Sequence, residues 1–323
     1  MIEYLGLFTK MSQTKIPFKK MVQPKIIQIK KSKRKLKIVD RAADTRVVTY
    51  TWCECGENHA GGAQEGVRAA VGSGFNEEDL KQAAISGKKL WNCESELHNL
   101  KKGIEGVDIK NKKGVKYDGE VKNAHLLIMR DLLTLILKAH GYTLVDLMKE
   151  ATGKKWDRQY YDGRRKKVLN KHARANHMIA NNARISNYDE GGKRGTTHAF
   201  SEMPIMDIIR KELGKLGDKF TLLIVAEGNL YDDGGAKKNG IGWHGDGERR
   251  FVMAMRLGMN PSMPFYYKWW YGNQSQGERM EFQLNAGDIY VMSEWAVGTE
   301  WKKSSEVTLR HATGAAKYTN VTK

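Results

Sequence analysis

The sequence predicts an α+β protein in which a helix-rich part precedes a β-rich part. Apolar residues recur at helical spacing in several segments before residue 217. After Lys219, about seven short strand-like segments are separated by Gly, Asn and Asp, a pattern typical of a β-sandwich or jelly roll. We therefore expect a basic tail over residues 1–44, a helix-rich region over residues 45–202 packed on the next domain, and a jelly-roll domain over residues 203–323.

Individual elements follow from local periodicity. Helices are predicted where apolar residues recur every three or four positions, and strands where short apolar runs end in turn residues. The predicted helices are 77–86, 123–140, 142–151, 164–182 and 204–216. The predicted strands are 47–52, 220–226, 250–257, 264–271, 279–284, 288–292, 307–311 and 316–321.

Charge is the first functional signal. The chain has 55 Lys and Arg against 37 Asp and Glu, a formal net charge of +18. Such an excess favours polyanionic partners. Residues 10–37 hold eleven Lys or Arg and no acid, which is typical of a solvated tail that binds polyanions or carries a nuclear address. The basic segment 164–182 lines a nucleic-acid groove or forms a plain solvated face. Nucleic acid is thus the predicted partner.

The sequence also excludes membrane-spanning and secreted proteins as classes. There is no apolar run of about 18 residues that would span a membrane, and the N-terminus lacks a secretory signal pattern. Three cysteines, Cys53, Cys55 and Cys93, cannot all pair, which fits a reducing compartment. We therefore expect no membrane partner and an intracellular location, in the cytoplasm or nucleus of a host cell or in a virion.

The most informative stretch is His244-Gly245-Asp246. On a strand, residues two apart point to the same side, so an imidazole and a carboxylate at this spacing can both bind one metal ion. A second histidine from a distant strand would complete a facial triad that leaves coordination positions open. That geometry suits non-haem Fe(II) oxygenases. The alternative is a simple hydrogen-bonded pair in a loop.

The context of this pair resembles the signature of AlkB-type Fe(II)/2-oxoglutarate dioxygenases. The residues that carry the resemblance are Asn229, Tyr231, Ile241, Trp243, His244, Asp246 and Glu248. The later G-D-I-Y-V-M-S segment, residues 287–293, resembles a strand of the same family. Trp301 and residues 308–311 are similar to the closing strands of uncharacterised dioxygenase-like proteins of large DNA viruses. The resemblance covers residues 220–320.

The resemblance implies a double-stranded β-helix, the jelly-roll variant of this superfamily. It implies that His244 and Asp246 are iron ligands and that Asn229 and Tyr231 contact the cosubstrate 2-oxoglutarate. At the usual position of the distal ligand, after Trp301, this chain has Lys303. The third ligand is therefore predicted to be His311, the last histidine of the sequence.

The distal carboxylate of 2-oxoglutarate requires a cation, because a buried unpaired carboxylate is costly. Arg310 matches the last arginine of the AlkB-type pattern, but this match conflicts with an iron-binding His311. Lys317 on the next predicted strand is the other candidate. Arg249, just after the H-x-D pair, is a third.

The predicted activity is therefore hydroxylation of a C–H bond by Fe(II), 2-oxoglutarate and O₂, on nucleic acid as base oxidation or demethylation. One alternative is hydroxylation of a protein side chain, Pro or Lys. Another is a non-catalytic jelly-roll protein that binds nucleic acid or belongs to a virion.

The sequence leaves two alternatives for each of two further motifs. Cys53, Cys55, His59 and Cys93 could form a zinc site, or the thiols could simply be reduced and buried. The aromatic run over residues 265–271 predicts a core strand, base stacking on exposed rings, or both, since alternate residues of a strand face opposite sides.

Overall fold

A computed structural model describes residues 45–58, 64–189, 193–258 and 263–321. The predicted basic tail and His59 lie outside these residues. Within them, no helix is long and apolar enough to cross a bilayer. The mixed α+β composition expected from the sequence is confirmed.

An eight-stranded sheet, here called the large sheet, organises the molecule. All its neighbouring strands are antiparallel except the last two, β8 and β9, which are parallel. In spatial order the strands are β4 (Ser95–Asn99), β5 (His125–Met129), β15 (Ile289–Met292), β12 (Val252–Gly258), β1 (Val47–Cys53), β10 (Val225–Tyr231), β8 (Ala175–Ala180) and β9 (Thr197–Ala199).

A four-stranded antiparallel sheet, the small sheet, faces it. Its strands in spatial order are β11 (Gly240–His244), β16 (Thr308–Gly314), β13 (Phe265–Tyr271) and β14 (Gln274–Phe282). Two hairpins complete the strands: β2 (Cys55–Glu57) with β3 (Gln64–Gly66), and β6 (Gln159–Asp162) with β7 (Lys167–Asn170).

Helices cover the opposite face of the large sheet. These helices are α1 (Glu77–Trp91), α2 (Leu132–Ala139), α3 (Leu144–Thr152) and α4 (Pro204–Leu213). Two short helices lie elsewhere: α5 (Glu294–Val297) packs into the space between the sheets, and α6 (Ala316–Thr319) packs against β11 and β16 of the small sheet. Helix α1 begins at a capping box, in which Asn76 and Asp79 each accept a hydrogen bond from the other's backbone N–H. Its apolar side joins one core with Tyr50 and Met253 of the large sheet.

A second core fills the space between the two sheets. Alternation along β12 explains how one strand serves both cores: Val252 and Ala254 face the small sheet, whereas Met253 and Met255 face the helices. Strands β5 and β15 are likewise buried at every position, and strands buried on both faces appear in the sequence as continuous apolar runs.

This double burial explains one wrong prediction. The sequence predicts a single helix over residues 123–140, but residues His125–Met129 form strand β5 and only Leu132–Ala139 is helical. Leu126 and Ile128 pack in one core, and Leu127 and Met129 in the other. A fully apolar run has no period that separates strand from helix.

The predicted helices 77–86, 142–151 and 204–216 are confirmed, with shifted ends. The predicted helix 164–182 is wrong, because its residues form β7 and β8. Asp162 accepts hydrogen bonds from the backbone N–H groups of Arg164 and Arg165 and closes the β6–β7 turn. The predicted strand 316–321 is also wrong, since residues Ala316–Thr319 form helix α6.

The large sheet draws strands from both predicted regions. Its central strand, β1, comes from the beginning of the described chain and pairs with β10 and β12 of the later part. The boundary expected between residues 202 and 203 therefore runs through one sheet. The described residues belong to one compact unit.

Candidate metal centre

Three predicted ligands meet at the small sheet. His244 ends β11, Asp246 follows in the next turn, and His311 lies on β16 directly opposite His244. The Nε2 atom of His244 lies 3.6 Å from Oδ1 of Asp246, and Nε2 of His311 lies 3.9 Å from the same oxygen. All three ligand atoms fall within 4.8 Å of one another. The pairing of β11 with β16 brings His311, which is distant in sequence, next to the other two residues.

The donor set fits a divalent metal ion. Donors around an ion at about 2 Å from each lie roughly 3 Å apart, slightly closer than observed here. The Nδ1 atom of His244 is hydrogen-bonded to the carbonyl oxygen of Gly242 at 2.8 Å, which leaves Nε2 for a metal. Nδ1 of His311 is buried and has no hydrogen-bond partner among the described residues.

Electrostatics keep His311 neutral. Burial first, and then the neighbouring His244 and Arg249, hold the pKa of His311 well below its usual range. A neutral imidazole is the form that coordinates a metal ion. Its ring lies 4.4 Å from that of His244, centroid to centroid.

A close backbone contact fixes the turn that carries Asp246. The backbone N–H of Asp246 donates to the carbonyl oxygen of Val297 at 3.0 Å. A Cβ atom on Gly245 would lie 2.0 Å from the carbonyl oxygen of Gly298, so only glycine fits between the two ligands. The turn is thereby held against the end of α5.

The three candidate metal ligands, His244, Asp246 and His311, line a cavity of about 650 Å³ between the two sheets. The large sheet supplies one wall, on which Asn229, Thr49 and Arg256 lie side by side on β10, β1 and β12. Phe265 of the small sheet lies 5.9 Å from the His311 ring and 5.1 Å from the Tyr290 ring, centroid to centroid. The cavity thus combines polar side chains of the large sheet with the aromatic rings of Phe265 and Tyr290, which come from both sheets.

Asn229 and Tyr231, which the resemblance assigns to the cosubstrate, both line this cavity. Oδ1 of Asn229 accepts hydrogen bonds from Nε of Arg174 and Nδ2 of Asn176, each at 2.6 Å. Tyr231 is buried at the end of β10. The structure therefore brings both residues into the cavity that the three ligands share.

Arg256 is the cavity residue that sequence reasoning missed. It is only 3% exposed, and its Nη1 donates to the carbonyl oxygens of Met263 and Leu284. Its Nε has no hydrogen-bond partner among the described residues. Asp288, the carboxylate that contributes to its electrostatics, already forms an ion pair with Arg130 at 2.7 Å. Burial lowers the pKa of Arg256, as expected for a guanidinium without its own counter-ion.

The cations chosen from the sequence lie elsewhere or are already paired. Arg310 and Lys317 do not line the cavity. Arg310 packs between the rings of Trp270 and Trp301, and Lys317 is exposed on α6. Arg249 does line the cavity, but it forms ion pairs with Glu227 and Glu248.

The cysteines do not gather around a metal in the described part of the chain. All three are buried free thiols. The Sγ of Cys53 contacts the carbonyl oxygen of Val225, whereas that of Cys93 contacts the carbonyl oxygen of Arg130. The described residues contain one metal-ligand group, formed by His244, Asp246 and His311.

Sequence comparison places the chain among viral proteins. Models of known protein families give no match. The chain is 35% identical over 276 residues to "Uncharacterized protein R156" of Acanthamoeba polyphaga mimivirus, covering 84% of this chain and 96% of that protein. The chain belongs to the family of this mimivirus protein. The predicted similarity to uncharacterised viral proteins is confirmed to that extent.

Proposed function

We propose that the protein is an AlkB-like Fe(II)/2-oxoglutarate-dependent dioxygenase that hydroxylates a C–H bond of nucleic acid. One observation carries the proposal: a His-Asp-His cluster shares one cavity with a buried arginine that has no carboxylate partner among the described residues. The first suits a metal ion, and the second suits an anionic ligand.

The strand order supports a double-stranded β-helix. From β10 onward, the strands belong in turn to the large, small, large, small, small, large and small sheets. These seven strands and β1, which lies between β10 and β12, make the eight of a jelly roll. We infer that β1 takes the place of the closing strand that the sequence predicts at residues 316–321.

Three protein ligands on one side of an ion leave positions for a cosubstrate and O₂, which suits non-haem Fe(II). When bound, Fe(II) and 2-oxoglutarate supply the oxidation of a C–H bond by O₂, with decarboxylation of the cosubstrate. His244 and His311 would bind the ion through imidazole nitrogens, and the carboxylate of Asp246 would neutralise part of its charge. The protein otherwise orients the substrate and excludes water.

Arg256 is proposed to bind the distal carboxylate of 2-oxoglutarate. Its side chain faces the space between the sheets on the same wall as Asn229 and Tyr231. A carboxylate there would give the buried guanidinium the counter-ion that the described residues do not provide. Phe265 and Tyr290 would pack against the carbon chain of 2-oxoglutarate, between its metal-binding end and its distal carboxylate.

A basic hairpin beside the cavity supports nucleic acid as substrate. Four consecutive cations, residues 164–167, are exposed at the β6–β7 turn. At the base of the hairpin, Nζ of Lys171 donates to Oδ1 of Asn58 at 2.8 Å, and Asn58 lines the cavity. The base of the hairpin thus borders the cavity, and we infer that the cations of its turn contact a phosphate backbone that leads to the opening.

The double substitution Arg164→Ala/Arg165→Ala is expected to weaken binding of duplex and single-stranded DNA alike. Removing two phosphate contacts should lower the slope of log affinity against log salt by about 1.4–1.8. Fluorescence anisotropy at several salt concentrations measures both. The matched control is Lys112→Ala/Lys113→Ala, two exposed cations of another loop. An equal loss in both variants would show attraction by net charge alone and remove the hairpin from the site.

Anaerobic titration of the purified chain with Fe(II) and 2-oxoglutarate tests the proposed function without a substrate. We expect the visible metal-to-ligand charge-transfer absorption at about one iron per chain, because the proposed ligands and the proposed carboxylate site share one cavity. Saturation at one equivalent would then justify a search for the substrate among DNA, RNA and peptides. If no absorption develops, the dioxygenase proposal is wrong and the non-catalytic alternative takes its place.

A further inference from the structure

The outer face of the small sheet carries a continuous row of aromatic and cationic side chains. Along β13, Phe265, Tyr267 and Trp269 pack in the core between the sheets, so Tyr266 and Trp270 face outward. We call the row the aromatic ladder. It consists of Trp301, Arg310, Trp270, Trp243, Tyr266 and Arg279.

Each member of the ladder contacts the next. The Arg310 guanidinium lies 5.2 Å from the Trp301 ring and 4.6 Å from the Trp270 ring. The Trp243 ring lies 6.2 Å from that of Trp270 and 6.5 Å from that of Tyr266. At the far end, the guanidinium of Arg279 lies 4.5 Å from the Tyr266 ring. These contacts between neighbouring rings and guanidinium groups keep both in fixed positions.

The ladder is incompletely satisfied in its own structure. Arg310 is 8% exposed and has no carboxylate partner among the described residues; its Nη2 donates to Oδ1 of Asn273 and to the carbonyl oxygen of Trp301. Nε of Arg310 and Nε1 of Trp270 have no partner within the described chain. Buried donors without a protein partner are uncommon, and an ordered water or a ligand can supply the missing acceptor.

The ladder is continuous with the proposed active site. Trp301 belongs to the ladder and also lines the cavity, as does the neighbouring Lys302, whose Nζ lies 5.4 Å from the Trp301 ring. Glu278 and Glu281 lie on β14 at the opposite end of the ladder. Glu300, which precedes Trp301, forms ion pairs with Lys303 at 2.8 Å and with Arg250 at 3.9 Å. Positive charge and an aromatic ring therefore meet where the cavity opens.

We propose that the aromatic ladder is a docking surface for single-stranded nucleic acid, whose bases stack on Trp301, Trp270 and Trp243 while one nucleotide enters the cavity. Unpaired bases stack on aromatic and guanidinium planes, whereas the bases of a duplex are already stacked on each other. The inference rests on the proposed function, because it names the form of nucleic acid that the same site receives.

The test measures anisotropy of a labelled single strand of about 12 nucleotides, a length within the range that one small binding domain covers, and of the duplex of the same sequence. DNA and RNA versions are compared in parallel. We expect the wild-type chain to prefer the single strand by about tenfold or more, and Trp270→Leu to remove about tenfold of that affinity. Trp270→Phe, which keeps a ring, should retain most of it. The salt slope should not change, since no charge is removed.

The matched control is Trp295→Leu. Trp295 is also half-buried and has a cation, Lys122, at 5.5 Å from its ring, but it lies outside the ladder. We expect it to leave binding of both forms unchanged. If Trp270→Leu does not fold, tryptophan emission of the wild-type chain provides the readout, with quenching by the single strand and none by the duplex.

Two results would overturn the inference: a folded Trp270→Leu variant with unchanged single-strand affinity, or a wild-type chain that binds the duplex at least as tightly. Failure of the proposed function gives a different result. In that case the charge-transfer absorption is absent in the wild-type chain, while preference for the single strand and its loss in Trp270→Leu persist.

Discussion

Replacing His311 with alanine is expected to abolish the combined binding of Fe(II) and 2-oxoglutarate while the chain stays folded. The substitution removes one of the three proposed metal ligands. Mutating a residue that only supports a ligand lowers metal affinity by about 10–100-fold, so the loss of affinity here should be larger. The fold should persist because His311 borders an existing cavity and its Nδ1 has no hydrogen bond to lose within the described chain. The charge-transfer absorption and circular dichroism report the two properties separately.

The variants His244→Ala and Asp246→Ala should behave in the same way, because each supplies one donor to the cluster. The matched control is His125→Ala. His125 is also buried on a strand, but it faces Glu77 at 3.4 Å and does not line the cavity. Retention of the absorption in His311→Ala, with loss in the other two, would place the third ligand elsewhere.

The ligand cluster was predictable because most of it is local. His244 and Asp246 are two residues apart, and their turn is defined by the glycines around them. His311 needed only the assumption that its strand pairs with the first, and the register His244↔His311 shows that it does. The expectation of a second histidine from a distant strand singled out His311, because it is the one histidine that follows Asp246 in the sequence.

The pairing of β1 was not predictable from local pattern. The sequence correctly predicts a strand here. However, nothing within Val47–Cys53 indicates that this strand pairs with β10 and β12, which are far away in sequence. The chain after β16 forms α6 instead of the predicted strand, and Lys317 lies outside the cavity. Neither this helix nor the non-local pairing of β1 is visible in local sequence pattern.

Periodicity also failed where burial is two-sided or charge is high. β5 is apolar on both faces, so it shows no alternation. In the segment 164–182, the cations that suggested a helical face belong instead to a tight hairpin turn, in which Lys166 has a positive φ of 48°. Tertiary pairing decided both segments against the local pattern.

Replacing Arg256 with methionine is expected to remove the preference of the protein for a ligand with a distal carboxylate. Truncating one partner of a buried charge pair costs about 2–5 kcal/mol, which is a loss of about thirtyfold or more in 2-oxoglutarate affinity. Stability should not fall, because the free chain loses a buried cation that has no counter-ion among the described residues. Thermal unfolding checks this second expectation.

The comparison that isolates the effect uses two ligands. 2-Oxobutyrate keeps the 2-oxo acid of 2-oxoglutarate but lacks the distal carboxylate, so the wild-type chain should bind it far more weakly in the presence of Fe(II). In Arg256→Met the two affinities should converge, since the charge that distinguishes them is gone. Arg310→Met is the matched control, because Arg310 is also a buried guanidinium without a carboxylate partner in the described chain but lies outside the cavity.

Arg174 provides the decisive contrast. It also lines the cavity, where its Nε donates to Asn229, but it is half-buried, so water already solvates part of its charge. We expect Arg174→Met to keep most of the discrimination between the two ligands. If it instead abolishes the discrimination while Arg256→Met does not, the distal carboxylate lies at the β8 end of the row of Asn229, Thr49 and Arg256. The cosubstrate would then extend across the wall in the opposite direction.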